Sequence, residues 1–369
     1  MKTLRRTAQA SLALVAVATV AACAAEGGSA AQPAPAPVST PAPTPVKTTA
    51  KADAPRAAGG AAVKVARRTP VLGIADITPM GEDVEKIGVG APIIVTFDRA
   101  VAKPALVEAV LQVQAEKPVE GAWRWVSDRK VVYRTKTYWK PHQKVLFTAR
   151  LNQIPGNQEA KDVSRRFAIG VANISTVSTG KHLMKVYRDG KLAKTIPISA
   201  GRGGMIKNGV DVYLTTSGVH LTMGKKAVET MTSSWLGVTD PKDPRYYKEE
   251  IPWAVRISDS GEYVHQSAGY YQFLGRSNQS HGCVRATPAG AKWFYGIAQR
   301  GDVVKIAGTK RKLDWRNGWG FWQLSWKQWK QGSALPATGP TPTPSPTSSA
   351  PPATDPTDGG EQSGQESGA

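Results

Sequence analysis

The sequence predicts a mainly β protein with two folded domains in series, and three observations lead to that prediction. Short apolar or alternating runs of strand length recur through residues 70–170 and again through residues 172–308, with turn residues between them. Only one helical segment stands out, at residues 288–298. Segments rich in alanine and proline lie at both ends of the 369-residue chain, so the middle is the part that can bury a core.

The N-terminus has the pattern of an export signal. Arg5 and Arg6 precede an alanine-rich apolar stretch over residues 8–22, which is too short to predict a membrane span. Small residues lead directly to Cys23, and this ending resembles the bacterial lipobox, in which the cysteine becomes the lipidated first residue. We therefore predict a lipoprotein signal peptide over residues 1–22 and a lipid anchor on Cys23. The alternative is an ordinary signal peptide in which this cysteine has no role.

Two segments are predicted to be disordered. Residues 23–69 form an Ala/Pro-rich spacer that has no periodic apolar face. Residues 334–369 form a tail rich in proline, threonine and serine that contains acids but no lysine, arginine or aromatic residue. Because the tail is acidic, the folded middle is more basic than the whole chain, whose net charge is +20.

Residues 70–171 are predicted to form a β-sandwich. Four runs have strand length, namely residues 91–97, 123–125, 131–134 and 145–149. Turn signals separate them at the short spacing that is typical of a sandwich. Trp123, Trp125 and Trp139 are predicted to pack in the core rather than to form a platform for a ligand.

Residues 172–308 are predicted to form a second β-rich domain. Its strand candidates are residues 182–187, 195–199, 210–221 and 253–264. Asp189-Gly190 between two alternating runs predicts a hairpin turn. The helix at residues 288–298 has Thr287 as its predicted N-cap and Pro288 at its first position.

Cys283 lies just ahead of this helix, in an exported chain with two cysteines. Such a cysteine is either buried and inert or a reactive thiol. A thiol with a pKa of about 8.5 is a poor nucleophile at pH 7, and a neighbouring imidazole corrects this by taking the proton. His281 is two residues away, and His265 closes a predicted strand. Gly282 lets the backbone approach a substrate, and the N–H groups around Cys283 can bind an oxyanion.

Metal chemistry is not indicated. The histidines and Cys283 do not have the spacing of zinc ligands, and acidic residues that would support such ligands are sparse. We therefore predict no metal and no cofactor. The residues alone leave two interpretations open, acyl transfer through a thioester on Cys283 and an inert buried cysteine.

His265, fourteen intervening residues and then residues 280–283 (SHGC) resemble the signature of the L,D-transpeptidase (YkuD-type) catalytic domain. The resemblance extends to the strands before the histidine, the start of an active-site lid, the helix after the cysteine and a closing strand, at residues 251–265, 231–238, 287–295 and 301–304. Residues 70–171 resemble the immunoglobulin-like domain that precedes this catalytic domain in some actinobacterial members. The resemblance implies that the catalytic domain covers residues 172–308.

The resemblance also implies an activity. Cys283 would attack the carbonyl of the third-position diamino acid in a peptidoglycan donor stem tetrapeptide and release D-alanine. An amine of a neighbouring stem would then attack the thioester, which cross-links two third residues in cell wall biogenesis. His265 would be the base, and the backbone carbonyl of Gln266 would orient its ring.

Further site residues follow from the same resemblance. Tyr247 falls near the expected oxyanion hole, and Met231 opens the substrate-contacting lid. His281 and Gly282 supply the nucleophile loop, and Ser280 supports it.

Some positions depart from the common family pattern. Arg285 stands where many members have asparagine, and its guanidinium would grip a substrate carboxylate with two hydrogen bonds. Residues 269–271 replace a common proline-tryptophan pair, and Leu236 replaces an aromatic residue in the lid. These departures predict a different donor or acceptor preference with the same chemistry.

Residues 309–333 form a Trp-rich extension that resembles the small C-terminal subdomain of multi-domain members. Its large aromatic residues are Trp315, Trp319, Phe321, Trp322, Trp326 and Trp329. We predict that the extension clamps the catalytic domain against the β-sandwich, because tryptophans at this density usually bury area. The alternative is a surface on which sugars or stem peptides stack.

The charge indicates the partners. A basic exported protein is expected to meet anionic lipid headgroups and anionic wall polymers, and no nucleic acid is expected there. The predicted location is extracytoplasmic, anchored through Cys23 to the cell membrane and facing the wall, with stem peptides as substrates. Two alternatives remain from the sequence, a carboxypeptidase of the same fold, in which water takes the acyl group, and a non-catalytic wall-binding lipoprotein.

Overall fold

The computed structural model describes residues 71–81 and 85–336. The predicted signal peptide, Cys23, the spacer and all but the first residues of the tail lie outside these ranges. No helix within the described residues is long and apolar enough to cross a membrane. The described fold is mainly β, as the sequence predicts.

The first part of the fold is a β-sandwich with one short helix, α1 (Pro104–Ala109). In chain order its strands are β1 (Ile74–Thr78), β2 (Lys86–Ile87), β3 (Ile93–Phe97), β4 (Leu111–Ala115), β5 (Gly121–Ser127), β6 (Lys130–Thr135), β7 (Gln143–Ala149) and β8 (Val163–Ile169). One sheet has the order β1-β3-β6-β5 and the other has the order β2-β8-β7-β4. Phe97, Trp123, Trp139 and Phe147 lie in the core between the sheets. Trp125 packs against that core, as predicted.

Strand β6 differs from its predicted alternation. The sequence suggests an exposed face at residues 132 and 134, but β6 is buried at every position from Val131 onward. Arg134 is only 4% exposed. The reason is that the Trp-rich extension covers the outer face of this sheet, where Val132 and Ile94 pack against Trp329.

The second part of the fold is built on one large sheet. In chain order its strands are β9 (Asn173–Ser178), β10 (Leu183–Arg188), β11 (Lys191–Ser199), β12 (Ile206–Lys207), β13 (Val210–Asp211), β14 (Gly218–Leu221), β15 (Gly224–Thr232), β16 (Lys248–Arg256), β17 (Tyr263–Gln266), β18 (Val284–Ala286) and β19 (Val303–Ala307). Nine of them form the sheet, in the order β14-β19-β9-β10-β11-β18-β17-β16-β15, and β12 and β13 form a separate hairpin. Helix α2 (Pro288–Ile297) buries Ala291 and Phe294 against the sheet.

Local signals in this part predict the structure well. Asp189 and Gly190 have φ angles of +46° and +81°, as a tight hairpin turn between β10 and β11 requires. Thr287 caps α2 by accepting a hydrogen bond from the N–H of Gly290. The predicted strand at residues 210–221 is wrong in its middle, because residues 212–217 form a loop whose polar groups bond to other segments, as described below.

The Trp-rich extension contacts both parts of the fold, through helix α3 (Trp326–Lys330) and the 3₁₀ turn Gly320–Gln323. Trp329 is fully buried, and its Nε1 donates to the carbonyl of Ala122 on β5 at 2.9 Å. Gln323 donates to the carbonyl of Val219 on β14 at 2.7 Å. The clamp interpretation is confirmed, since this segment ties the sandwich to the large sheet.

Candidate active site

Two parallel strands set up the candidate reactive pair. β17 and β18 pair with Val264 opposite Val284 and with His265 opposite Arg285. Val264 and Val284 are buried in the core on one side of the sheet. Side chains alternate along a strand, so His265 and Cys283, the residue just before β18, lie on the other side. The fold therefore brings the predicted base and the predicted nucleophile to one face.

The loop that carries Cys283 is held by hydrogen bonds on two sides. Gly282 has a φ of +133°, a conformation that residues with a side chain rarely adopt. The Ser280 hydroxyl donates to the carbonyl of Cys283 at 2.6 Å and accepts from the N–H of Gly282 at 3.1 Å. On the opposite side, the Thr215 hydroxyl donates to the carbonyl of Gly282 at 2.7 Å. These bonds restrain the position of the thiol.

The sulfur of Cys283 contacts two backbone groups of the segment before β17. The thiol donates to the carbonyl of Gly261 at 3.6 Å, and the N–H of Tyr263 donates to the sulfur. Removal of the thiol from water raises the pKa of Cys283 to about 12, and the nearby charge of Glu262 acts in the same direction. The thiol is therefore protonated at neutral pH and needs a base before it can attack.

His265 has the geometry of such a base. The side chain is 3% exposed, and its Nδ1 lies 2.6 Å from the carbonyl oxygen of Gln266. A carbonyl can only accept, so Nδ1 carries the proton and Nε2 keeps a free lone pair. Burial lowers the pKa of His265 to about 4, and the positive charge of Arg285 lowers it further. The imidazole is thus neutral at pH 7 and able to take a proton.

A cleft leads to Cys283, and the lid forms one of its walls. Met231 on β15 and Trp235 on the 3₁₀ turn Ser233–Leu236 line this side, together with Tyr247. The indole Nε1 of Trp235 donates to the Tyr247 hydroxyl at 2.6 Å. Burial raises the pKa of Tyr247 to about 12, so its hydroxyl stays neutral and can donate to an oxyanion.

Aromatic rings hold His281 in the cleft. Its ring lies 4.5 Å from that of Tyr213 and 5.1 Å from that of Tyr247, measured between centroids. Burial lowers the pKa of His281 to about 4, and the charges of Arg202 and Arg285 add to this effect. His281 is therefore a neutral wall residue at pH 7.

The predicted site residues occupy different places. Those that line the cleft are Met231, Tyr247, His281, Gly282 and Cys283. His265 and Ser280 are buried behind it. Arg285 does not line this cleft, since its guanidinium lies 5.4 Å from the ring centroid of Tyr270 and donates to a backbone carbonyl at 3.4 Å. Cys23 lies outside the described residues.

A buried polar cluster beside the thiol was not predicted. Glu262 is 3% exposed and accepts both the N–H and the hydroxyl of Thr216, each at 2.6 Å. That hydroxyl lies 2.8 Å from Nε2 of His220. Glu262 stands between Gly261 and Tyr263, whose backbone groups contact the sulfur, so the cluster fixes that segment. The one feature of the local sequence that could have indicated this cluster is the acidic residue, Glu262, directly before strand β17.

Two further cleft residues were also missed. Trp235 follows the lid strand. In the sequence only the next position, Leu236, stood out, because it replaces an aromatic residue of the common family pattern. Arg311 belongs to the Trp-rich extension, yet it lines the cleft together with Val212 and Gly282. No local pattern around Arg311 indicates a contact with the active site.

The histidines are engaged in ways that do not suggest a metal centre. His182 contacts Asn278 at 3.0 Å, and His220 and His265 have the partners already described. Within the described ranges, no group of three or more His, Cys, Asp or Glu side chains converges as a metal site would need.

Family profiles match both parts of the fold. Residues 172–306 match the L,D-transpeptidase catalytic domain (YkuD), and residues 46–155 match a bacterial Ig domain. The chain is 31% identical over 259 residues to L,D-transpeptidase 2 of Mycobacterium tuberculosis (strain CDC 1551 / Oshkosh), a match that covers 69% of this chain and 61% of the relative. The chain thus spans about three fifths of that relative's length.

Solved structures give the same result. An LD transpeptidase, LdtMt1, in complex with imipenem is 26% identical, with a TM-score of 0.54, and the match covers 64% of this chain and 100% of that one. L,D-transpeptidase 3 from Mycobacterium tuberculosis in complex with a faropenem-derived adduct is 25% identical, with a TM-score of 0.52, over 64% of this chain and 98% of that one. This chain therefore carries an L,D-transpeptidase (YkuD) catalytic domain behind a bacterial Ig domain, and the relatives that it resembles are L,D-transpeptidases.

Proposed function

We propose that this protein is a peptidoglycan L,D-transpeptidase that works through a thioester on Cys283. One observation carries the proposal. Cys283 and His265 share one face of the paired strands β17 and β18, and the bond from Nδ1 to Gln266 leaves Nε2 of His265 free for the thiol proton. The penem and carbapenem complexes of similar L,D-transpeptidases support a site of this kind.

The first half-reaction forms the acyl-enzyme. Nε2 of His265 takes the thiol proton as the sulfur of Cys283 attacks the carbonyl carbon of the third residue of a donor stem. The tetrahedral oxyanion is stabilised by the N–H of Cys283 and the neutral hydroxyl of Tyr247. The C–N bond then breaks, His265 returns the proton to the leaving amine, and the terminal D-alanine departs.

The second half-reaction forms the cross-link. A side-chain amine of a neighbouring stem attacks the thioester and transfers its proton to Nε2 of His265. The C–S bond breaks, a new amide joins two third residues, and the proton returns to the sulfur of Cys283. The neutral imidazole suits both steps, because it begins each half-reaction as the base and ends it as the acid.

Incubation with stem peptides tests the proposed function. We expect the full chain, given a stem tetrapeptide and an acceptor stem, to release D-alanine and yield a cross-linked product, visible by mass spectrometry. The Cys283→Ala variant should yield neither product. A tripeptide without cross-link would identify a carboxypeptidase instead, and no product from the native enzyme would contradict the proposal.

We also propose that the enzyme is anchored through a lipid on Cys23 and faces the cell wall. The basis is the lipobox-like sequence that ends at Cys23 and the net charge of +20. A positive surface attracts anionic lipid headgroups and anionic wall polymers without a specific contact.

Retention on isolated cell walls tests the electrostatic part of this proposal. We expect retention to fall strongly between about 0.05 M and about 0.5 M NaCl, because the screening length shrinks from about 14 Å to about 4 Å. The measurement is the fraction of protein that sediments with membrane-free walls, with an acidic protein of similar size as control. Equal retention at both salt concentrations would contradict the electrostatic account.

A further inference from the structure

We propose that Arg311 is the residue that binds the terminal carboxylate of the donor stem peptide. This inference rests on the proposed function and adds a specificity determinant to it. The sequence predicted carboxylate binding by Arg285, whose charge acts on Cys283 but whose guanidinium packs against Tyr270 and does not line the cleft. Arg311 lines the cleft together with Cys283 and reaches it from the extension, beyond the last strand of the large sheet.

The position of Arg311 relative to the thiol follows from its contacts. Its Nη1 donates to the carbonyls of Val212 and Leu214, at 3.0 and 2.9 Å. Val212 and Leu214 belong to the loop at residues 212–217. This loop also contacts the nucleophile loop, where the hydroxyl of Thr215 donates to the carbonyl of Gly282 at 2.7 Å. The guanidinium of Arg311 is therefore held against residues 212–214. The next residue, Thr215, is bonded to Gly282, which directly precedes Cys283.

The donor atoms of Arg311 are only partly used. Both of its hydrogen bonds come from Nη1, and in the part of the chain that the structure describes, Nε and Nη2 make no hydrogen bond. These two nitrogens form the side of the guanidinium that fits a carboxylate with two parallel N–H···O bonds. Arg311 is half-buried, so little water must be displaced to bind there.

The nearest acid to Arg311 is Asp211, whose pKa the positive charge of Arg311 helps to lower, but the oxygens of that carboxylate accept from the N–H groups of Gly204, Met205 and Tyr213. Within the described residues no carboxylate forms an ion pair with Arg311. The two acids that line the cleft have other partners, since Glu229 lies 2.9 Å from the Nζ of Lys226 and Glu262 is bonded to Thr216. Arg311 is therefore the positively charged residue that lines the cleft, and one side of its guanidinium has donors without a partner among the described residues.

The chemistry of the substrate identifies the ligand. Cys283 attacks the carbonyl of the third residue, and the residue that leaves carries the terminal carboxylate. Peptide bond lengths place that carboxylate about 3–4 Å from the attacked carbon, so its binding partner must lie in the same cleft as the thiol. In the described part of the cleft, Arg311 is the side chain with both the charge and the free donors.

Binding to a variant without the nucleophile tests the assignment. In Cys283→Ala protein, a synthetic stem tetrapeptide should bind about 10- to 100-fold more tightly than the same peptide with a terminal carboxamide, as a charge-assisted hydrogen-bonded pair predicts. With Arg311→Gln added to Cys283→Ala, both peptides should bind with the low affinity of the carboxamide. With Arg311→Lys instead, part of the difference in affinity between the two peptides should return. A tetrapeptide whose side-chain carboxylates alone are amidated should bind like the unmodified one.

Matched controls separate this role from a structural one. Lys310→Gln removes the same charge from the neighbouring exposed side chain and should leave the carboxylate preference intact. With Cys283 present, Arg311→Gln should react with a neutral alkylating reagent at the native rate while its kcat/KM for the tetrapeptide falls about 10- to 100-fold, mainly through KM.

Several outcomes would overturn the inference. If Arg311→Gln still bound the carboxylate peptide more tightly than the carboxamide, the inference would be rejected. It would also be rejected if the substitution weakened the binding of both peptides equally. A loss of affinity caused by amidating the side-chain carboxylates would move the assignment away from the terminal carboxylate. If the native enzyme turned over no donor, the proposed function would fail, while the binding comparison would still decide the role of Arg311.

Discussion

Replacing His265 with glutamine should lower the rate at which Cys283 attacks a donor by about two to four orders of magnitude, the usual contribution of a general base. Burial lowers the pKa of His265 to about 4 and raises that of Cys283 to about 12. Both groups are then neutral at pH 7, and the thiol reacts only if Nε2 removes its proton during the attack. Without the imidazole, the reaction depends on the small fraction of free thiolate.

The pH profile separates this role from a structural effect. The native enzyme should modify Cys283 at a rate that is nearly constant from pH 6 to pH 9, because the imidazole is already deprotonated and the thiol is still protonated there. The rate should fall as the pH drops toward 4, where His265 gains a proton. In His265→Gln the rate should instead rise about tenfold for each pH unit, following the thiolate.

The measurement is the rate of adduct formation on Cys283 with a neutral alkylating reagent, followed by intact mass. Ser280→Ala is the matched control, since it removes two hydrogen bonds in the nucleophile loop and leaves the base in place. It should lower the rate without changing the shape of the pH profile. An unchanged, flat profile in His265→Gln would show that another group takes the proton.

Replacing Trp329 with alanine should lower the free energy of unfolding by about 3–5 kcal/mol, the usual cost of deleting a buried tryptophan. Trp329 is fully buried among Ile94, Val132 and Phe321. Its indole also lies 4.8 Å from the guanidinium carbon of Arg134, a buried charge that the tryptophans of the extension cover. Removing the ring therefore opens a cavity and exposes that face of the sandwich.

Denaturant unfolding followed by far-UV circular dichroism tests this expectation. Trp329→Phe keeps most of the buried ring and loses the hydrogen bond to Ala122, so it should cost about 1–2 kcal/mol. Trp235→Ala, which replaces an exposed side chain, should change the unfolding free energy by less than about 1 kcal/mol. A loss below about 1 kcal/mol in Trp329→Ala would mean that the extension does not clamp the domains.

Local signals predicted much of the fold because they act over few residues. The hairpin at Asp189-Gly190 and the cap at Thr287 depend on the conformational preferences of one or two residues. The density of tryptophans in the extension predicted the clamp, because large rings must bury their area. The candidate pair was predicted from the resemblance of a short stretch of chain, because His265 and residues 280–283 lie within twenty residues of each other.

The remaining errors concern contacts between distant segments. Residues 131–134 looked like an alternating strand, but Arg134 is buried under the extension, which follows about 190 residues later in the chain. The loop at residues 212–217 looked like part of a strand, but Thr215 and Thr216 bond to the segments on either side of the thiol. No periodicity within the chain reports such pairings.

The sequence by itself determined the class of fold, and it predicted the candidate nucleophile and the candidate base. Strand periodicity, turn residues and a compact motif are properties of neighbouring positions. Only the tertiary structure decided which segments surround the candidate pair, how the cluster around Glu262 forms, and that Arg311 lines the cleft while Arg285 packs against Tyr270. Desolvation and hydrogen bonding depend on which segments meet in space, and these segments lie far apart along the chain.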